Sequence, residues 1–425
     1  MHDFTYKNSE LYAEAVPVRK IAESVGTPLY VYSHNTFLRH FNAYRNAFDG
    51  QPHTICFALK ANSNISILKL LAKNGCGADV VSGGELHLAL KAGIPPEKIV
   101  YAGVGKTEQE IVQALRAGIL MFNMESSDEM LAINEIAGRL KKKAPVALRV
   151  NPDIDPETHP YISTGLKESK FGIPIEEALE HYKLAGKLPH LEIRGIHKHI
   201  GSQITTIKPF VDSLQKVILL AKTLRSHGIA INYIDMGGGL GIPYNNEHPP
   251  HPSELSKAIL PLLKGGNFNL ILEPGRSIAG NAGIFVTRVL YLKKHLGSEP
   301  DQPEKMFVII DGGMNDLIRP SLYNAYHNVL PVKQNNRRKV ISDVVGPICE
   351  SGDFLAKNRK LNTVSRGDLL AVMSAGAYGF TMSSNYNSRP RAAEVLVKGS
   401  KFYVVRERET YKDLIRGSQI PEFLK

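Results

Sequence analysis

Lys60 ends the apolar run Cys-Phe-Ala-Leu with a primary amine, within FALKAN at 57–62. An arbitrary lysine is a solvated surface group. One held at the mouth of a fold is partly desolvated, which lowers its pKa and makes the amine a nucleophile toward carbonyl carbon. Other residues that carry chemistry stand at comparable places, where apolar runs give out: Asp79, Asn151, His197 and His199, the run Gly237-Gly238-Gly239, and Glu273-Pro274-Gly275-Arg276. Bare backbone N–H groups beside an arginine make an anion site, although the same glycines also suit tight turns. His197 and His199 are two apart and share one face of a strand. Such a pair either ligates a metal or lays a flat imidazole on a planar group. A metal needs further histidines and carboxylates at neighbouring strand ends. Only Asp79 and Glu273 are counted there, with no third histidine, so no metal is expected.

The elements that must position these residues follow from periodicity. Continuous apolar runs recur at 54–61, 78–82, 99–103, 119–124, 146–152, 193–201, 231–239 and 268–275. Between them lie segments whose apolar residues repeat at three and four, as in 65–73, 84–92, 108–117, 127–140 and 210–227. Runs that are apolar on both faces and alternate with helices indicate a parallel sheet. Eight such units, with a leading helix at 35–48, fit a (β/α)8 barrel. A doubly wound sheet has the same alternation, but polar residues at nearly every strand exit favour the barrel, whose chemistry collects at the carboxyl ends of its strands. The loops after strands seven and eight are the usual phosphate site of a barrel, which fits the two glycine turns.

After Gly280 the pattern changes to short β-rich runs at 307–311, 340–345, 369–373, 393–397 and 402–405, separated by turns. This predicts a second, all-β domain, joined by an N-terminal strand at 29–32. The expected division is a barrel over 34–279 and a β domain made of 1–33 and 280–425.

Composition excludes other classes. The chain has 425 residues, 43% hydrophobic and 22% charged, which is ordinary globular composition and argues against a largely disordered chain. The net charge is +11, but the tight basic runs are only Lys141–Lys143 and Arg337–Lys339, which read as solvated faces rather than a nucleic-acid site. Three cysteines, Cys56, Cys76 and Cys349, are too few and too scattered for a disulfide framework or a four-thiolate zinc site. No apolar run reaches the roughly 18 residues of a membrane span, and no secretory signal is visible at the N-terminus. A cytoplasmic location, with neither membrane nor nucleic acid as partner, is expected.

Seven motifs in fixed order add a further signal: FALKAN (57–62), HIGSQ (199–203), GGGLGIPY (237–244), EPGR (273–276), DGGMNDLIRPSLY (311–323), CESGD (349–353) and AGAYG (375–379). Over essentially its whole length the chain resembles the pyridoxal-phosphate-dependent decarboxylases of the alanine-racemase-like fold, and among them the branch that acts on diaminopimelate. The resemblance implies pyridoxal 5'-phosphate as cofactor and a homodimer with active sites at its interface. Lys60 would hold the cofactor covalently, and His199 would stack on its ring. Asp79, Ser202, Gly239, Pro274, Gly275, Arg276 and Tyr378 would complete the cofactor site. Glu273 would face the pyridine nitrogen and keep it protonated, making the ring a strong electron sink. Racemases of this fold place an arginine there, so Glu273 favours decarboxylation. Cys349, supplied by the partner subunit, would protonate the carbon that loses CO2.

For the substrate, the resemblance implies Arg276, Arg319, Tyr323, Glu350 and Tyr378. A diamino diacid needs both a carboxylate partner and an ammonium partner at its far end, which Arg319 and Glu350 supply. The implied reaction is conversion of meso-2,6-diaminopimelate to L-lysine and CO2, the last step of lysine biosynthesis. Ornithine, arginine or a carboxylated polyamine is the alternative substrate, although ornithine decarboxylases carry aspartate after the cysteine. A non-catalytic pyridoxal-phosphate carrier would lack the β domain and its thiol. Two residues depart from the family pattern: Phe57 stands where tyrosine is usual, and Lys198, between the histidines, is expected to pack or lie at the surface.

Overall fold

The structure, a computed structural model, describes residues 2–155, 170–295 and 305–425. These divide into two compact units, residues 38–278 and residues 1–37 with 279–425.

In the first unit eight strands run parallel in sequence order: His53–Ala58, Gly77–Val80, Ile99–Tyr101, Met121–Met124, Ala144–Asn151, Leu191–His197, Tyr233–Asp235 and Asn269–Leu272. The last pairs with the first, Leu270 opposite His53 and Leu272 opposite Ile55, so the sheet closes into a barrel. All eight coincide with the apolar runs of the sequence. Strands covered on both faces have no solvated side, and so they show no alternation. Cys56, Val100, Met121, Ala147 and Ile271 are fully buried members of one barrel cluster. Each fully buried aliphatic side chain contributes about 1.5–3 kcal/mol. Cys56 and Cys76 are buried and lie far from reactivity, because burial pushes the Cys76 thiol up to about 12 and that of Cys56 well above its usual range.

The intervening helices start where the sequence supplies caps. Thr107 and Glu110 form a reciprocal capping box for Glu108–Ala117, and the Ser82, Ser126 and Asn64 side chains cap three more. Each cap therefore fixes the turn just beyond a strand's carboxyl end, where the chemistry-bearing residues stand.

The second unit is built on a sheet whose central strand, Gly283–His295, is thirteen residues long. It pairs with Leu29–Ser33 and Leu369–Val372 near its start and with Lys305–Ile310 further on. Its Ile284 and Val286 share one core with Leu29, Val31, Ala371, Val395 and Val397. The sequence expectation of a change of period after Gly280 includes neither this strand nor Phe354–Asn362. The latter, FLAKNRKLN, is an outermost strand of its sheet, half polar, with Lys357, Asn358 and Lys360 exposed. A small N-terminal sheet of Phe4–Lys7, Glu10–Ala13 and Val16–Pro17 was also not anticipated.

Candidate active site

Lys60 sits on a single 3-10 turn, Leu59–Ala61, that continues the first barrel strand. Leu59 and Ala61 are buried, which turns Lys60 outward, and its side chain is 41% exposed. Its Nζ donates to Asp79 Oδ2 at 2.7 Å. Asp79 belongs to the second strand, in register with Ala58, and its side chain is wholly buried. The other oxygen, Oδ1, is buried with no hydrogen-bond partner among the described residues. An amine with an outlet to solvent is thus held by a fixed carboxylate.

A buried acidic centre stands at the ends of the seventh and eighth strands, the eighth pairing with the first. Glu273 follows the eighth strand and Asp235 ends the seventh; both are almost fully buried. Asn123, on the fourth strand, donates its amide to Asp235 Oδ2 at 3.1 Å and to Glu273 Oε1 at 3.4 Å. His197 Nε2 lies 3.5 Å from Glu273 Oε2. Burial, helped by Asp79, pushes the Glu273 carboxyl up to about 8. Burial and Glu273 hold Asp235 well above the usual carboxylate range, while burial pulls His197 down to about 4. His197, Asp235 and Glu273 each bring one ligand atom within 4.8 Å of the others. The sequence argument against a metal did not count Asp235 and so was incomplete. The Asn123 amide donates to one oxygen of each carboxylate and ties the two together.

The third feature is a cradle. Gly239 has φ 115°, where a side chain is strained, and a Cβ there would lie 2.5 Å from the Gly201 carbonyl oxygen. The glycine run therefore lies directly against HIGSQ. Gly238 N donates to His199 Nδ1 at 3.1 Å, which fixes the ring beyond the end of its strand. Arg276 spans the same place: Nη2 donates to Ser202 Oγ at 2.9 Å and Nη1 to the Tyr244 hydroxyl at 2.7 Å. Asn151, by contrast, turns its side chain to its own loop, accepting from Asp153 N at 3.0 Å. Lys198 is not at the surface. It is fully buried, donates to Ser213 Oγ at 2.9 Å and lies over the Phe210 ring. Burial pulls its amine down to about 7.

The remaining candidates stand on three strapped loops of the β-rich unit. Arg319 and Tyr323 begin and end one short helix, four residues apart and so on one face. Ser321, between them, donates to Gly352 O at 2.7 Å and ties that helix to the loop of Cys349 and Glu350, both exposed. Asp353 closes this loop, accepting from Ile348 N and Met314 N, both at 2.7 Å. A Cβ on Gly346 would meet an Asp353 oxygen at 2.4 Å, so only glycine admits the carboxylate. Cys349 N donates to Asn387 Oδ1 at 2.8 Å, and the Tyr386 hydroxyl bonds Glu350, which raises the Tyr386 pKa. Tyr378, at φ 55°, lies on the adjoining loop.

Asn123, Asp235, Tyr244, Ser321 and Asp353 were missed by the sequence reading. For Asn123 and Asp235 the signal is a lone polar residue inside an apolar run, as in ILMFNM and INYIDM; Tyr244, Ser321 and Asp353 stand inside the motifs GGGLGIPY, DGGMNDLIRPSLY and CESGD.

Residues 34–280 match the family model described as pyridoxal-dependent decarboxylase, pyridoxal binding domain. The diaminopimelate decarboxylase of Aquifex aeolicus is 55% identical over 97% of this chain and 96% of its own. The chain belongs to the diaminopimelate decarboxylases. The crystal structure of the Helicobacter pylori diaminopimelate decarboxylase complexed with L-lysine has TM-score 0.90 and 45% identity, over 94% of this chain and 98% of that one. That of M. jannaschii, also with L-lysine, has TM-score 0.93 and 40% identity, each chain covered completely. The cofactor implied for a diaminopimelate decarboxylase fits the residues present. An outward amine, a glycine cradle spanned by an arginine and a buried carboxyl suit the carbonyl, phosphate and ring nitrogen of pyridoxal phosphate.

Proposed function

We propose that the chain removes CO2 from the D-configured centre of meso-2,6-diaminopimelate to give L-lysine, as a pyridoxal-phosphate-dependent carboxy-lyase at the last step of lysine biosynthesis. The observation that carries this reading is Glu273, a buried carboxyl whose pKa burial and Asp79 push up, so that its charged form calls for a cationic partner. A protonated pyridine nitrogen is such a partner. When bound, the cofactor supplies an electron-withdrawing ring that takes up the electron pair left by CO2.

The chain's residues divide the remaining work. Lys60 supplies the amine that holds the cofactor, and Asp79 orients it. Gly239, Gly275, Ser202 and Arg276 bind the phosphate, with Pro274 shaping the turn. His199 packs against the ring. Asp235 and Asn123 support Glu273. On the β-rich unit, 1–33 with 280–425, Arg319 pairs with the substrate's distal carboxylate and Glu350 with its distal ammonium. Tyr323, Tyr378 and Arg276 line the substrate. Cys349 Sγ gives a proton to the carbon that has lost CO2. The exposure of Cys349 and Glu350 on a rigidly strapped loop supports a homodimer in which they serve the barrel, 34–279, of the other copy. The likeness to the diaminopimelate decarboxylases supports a cytoplasmic location; among the described residues no helix is long and apolar enough to cross a membrane.

The test is CO2 release by cofactor-loaded protein from diaminopimelate, ornithine, arginine and lysine in parallel. Release from diaminopimelate alone is expected; equal or greater release from another substrate would overturn the distal-pocket reading.

A further inference from the structure

Arg319 is 6% exposed, and a guanidinium buried that far needs fixed partners. One of them is His327, whose Nε2 lies 2.7 Å from Arg319 Nη1. His327 is itself completely buried, and its Nδ1 lies 2.8 Å from the Met373 carbonyl oxygen. A carbonyl oxygen only accepts, so Nδ1 carries the ring hydrogen. A guanidinium only donates, so Nε2 must offer its lone pair. Both contacts select the same tautomer.

The segment that bears His327 is strapped a second time, because Met373 N donates to Asn328 O at 2.8 Å. Met373 directly follows the strand Leu369–Val372 and leads into the loop of Tyr378. His327 therefore stands between the helix of Arg319 and the loop of Tyr378, bonded to both sides.

We infer that His327 is a positioning residue for recognition of the substrate's non-reacting end, fixing the plane of the Arg319 guanidinium against the Tyr378 loop. The inference rests on the reading of Arg319 as the carboxylate partner. Arginine binds a carboxylate through parallel N–H groups in one plane, so anchoring one Nη sets the direction of the fork. The non-reacting end changes little between ground and transition state, so the effect falls on KM rather than kcat.

The test uses the cofactor-loaded full chain, with steady-state kinetics on diaminopimelate and calorimetric binding of L-lysine, which retains the non-reacting end. His327→Leu should raise KM about 10-fold or more and weaken L-lysine binding in parallel, with kcat within about threefold. His327→Gln, which keeps one acceptor and one donor, should recover most of the loss. In an Arg319→Ala background, adding His327→Leu should have little further effect. Additive losses, or an unchanged KM in His327→Leu while Arg319→Ala is severely impaired, would overturn the inference. An unchanged KM in Arg319→Ala would instead overturn the reading beneath it. Should His327→Leu fail to fold, His327→Asn, too short to bridge, should raise KM where His327→Gln does not; equal KM values for the two would overturn the inference.

Discussion

Asp79 offers Lys60 one carboxylate oxygen, Oδ2, at 2.7 Å and keeps the other buried without a partner among the described residues. The pair joins the first two barrel strands at their carboxyl ends and leaves the amine as the exposed member. A lysine held this way has a fixed direction of approach and an outlet to solvent, which a covalent cofactor anchor requires.

Lys60→Ala should therefore remove the visible absorbance of protein-bound pyridoxal phosphate while leaving the far-ultraviolet circular dichroism unchanged. A spectrum identical to the parent would contradict the anchoring role.

Gly239→Ala tests the cradle. The added methyl would meet the Gly201 carbonyl at 2.5 Å on backbone already at φ 115°, so the loop against Ser202 must move. Weaker cofactor binding, by about 10-fold or more, is expected from absorbance titration, with the rest of the barrel intact. Unaltered affinity would show that the glycine run serves only the turn.

Lys198 gives a pH-dependent prediction. Its amine is pulled from 10.5 to about 7 in the folded chain, so unfolding takes up a proton between pH 7 and 10.5. Stability is thus lowered most below pH 7 and recovers as pH rises through that window. Lys198→Met removes the buried charge and should stabilise the protein at pH 6.5 by on the order of a few kcal/mol. The gain should shrink toward pH 9.5. Thermal unfolding at the two values checks the sign; a gain that grows with pH would contradict it.

The barrel was legible because strands buried on both faces leave uninterrupted apolar runs, and every one of the eight was visible. The half-polar strand Phe354–Asn362 has no such signature, and the long strand Gly283–His295 straddles the change of period. The same contrast holds at the site. Lys60, Glu273 and Arg276 stand in recognisable motifs at strand ends. Asn123, Asp235 and His327 are single polar residues whose significance comes from partners 150, 38 and 8 positions away, namely Glu273, Glu273 and Arg319. Sequence spacing does not bring these together; barrel closure and loop strapping do.

In the proposed homodimer, the Lys60 amine and the Cys349 thiol of one active site come from different copies of the chain. This sharing is tested most directly by mixing Lys60→Ala and Cys349→Ala subunits, each inactive alone. Random exchange makes half the dimers mixed, each with one intact site, so activity should recover to roughly a quarter of the parent value. Mixed dimers that form, verified by mass, yet stay inactive would contradict the shared site.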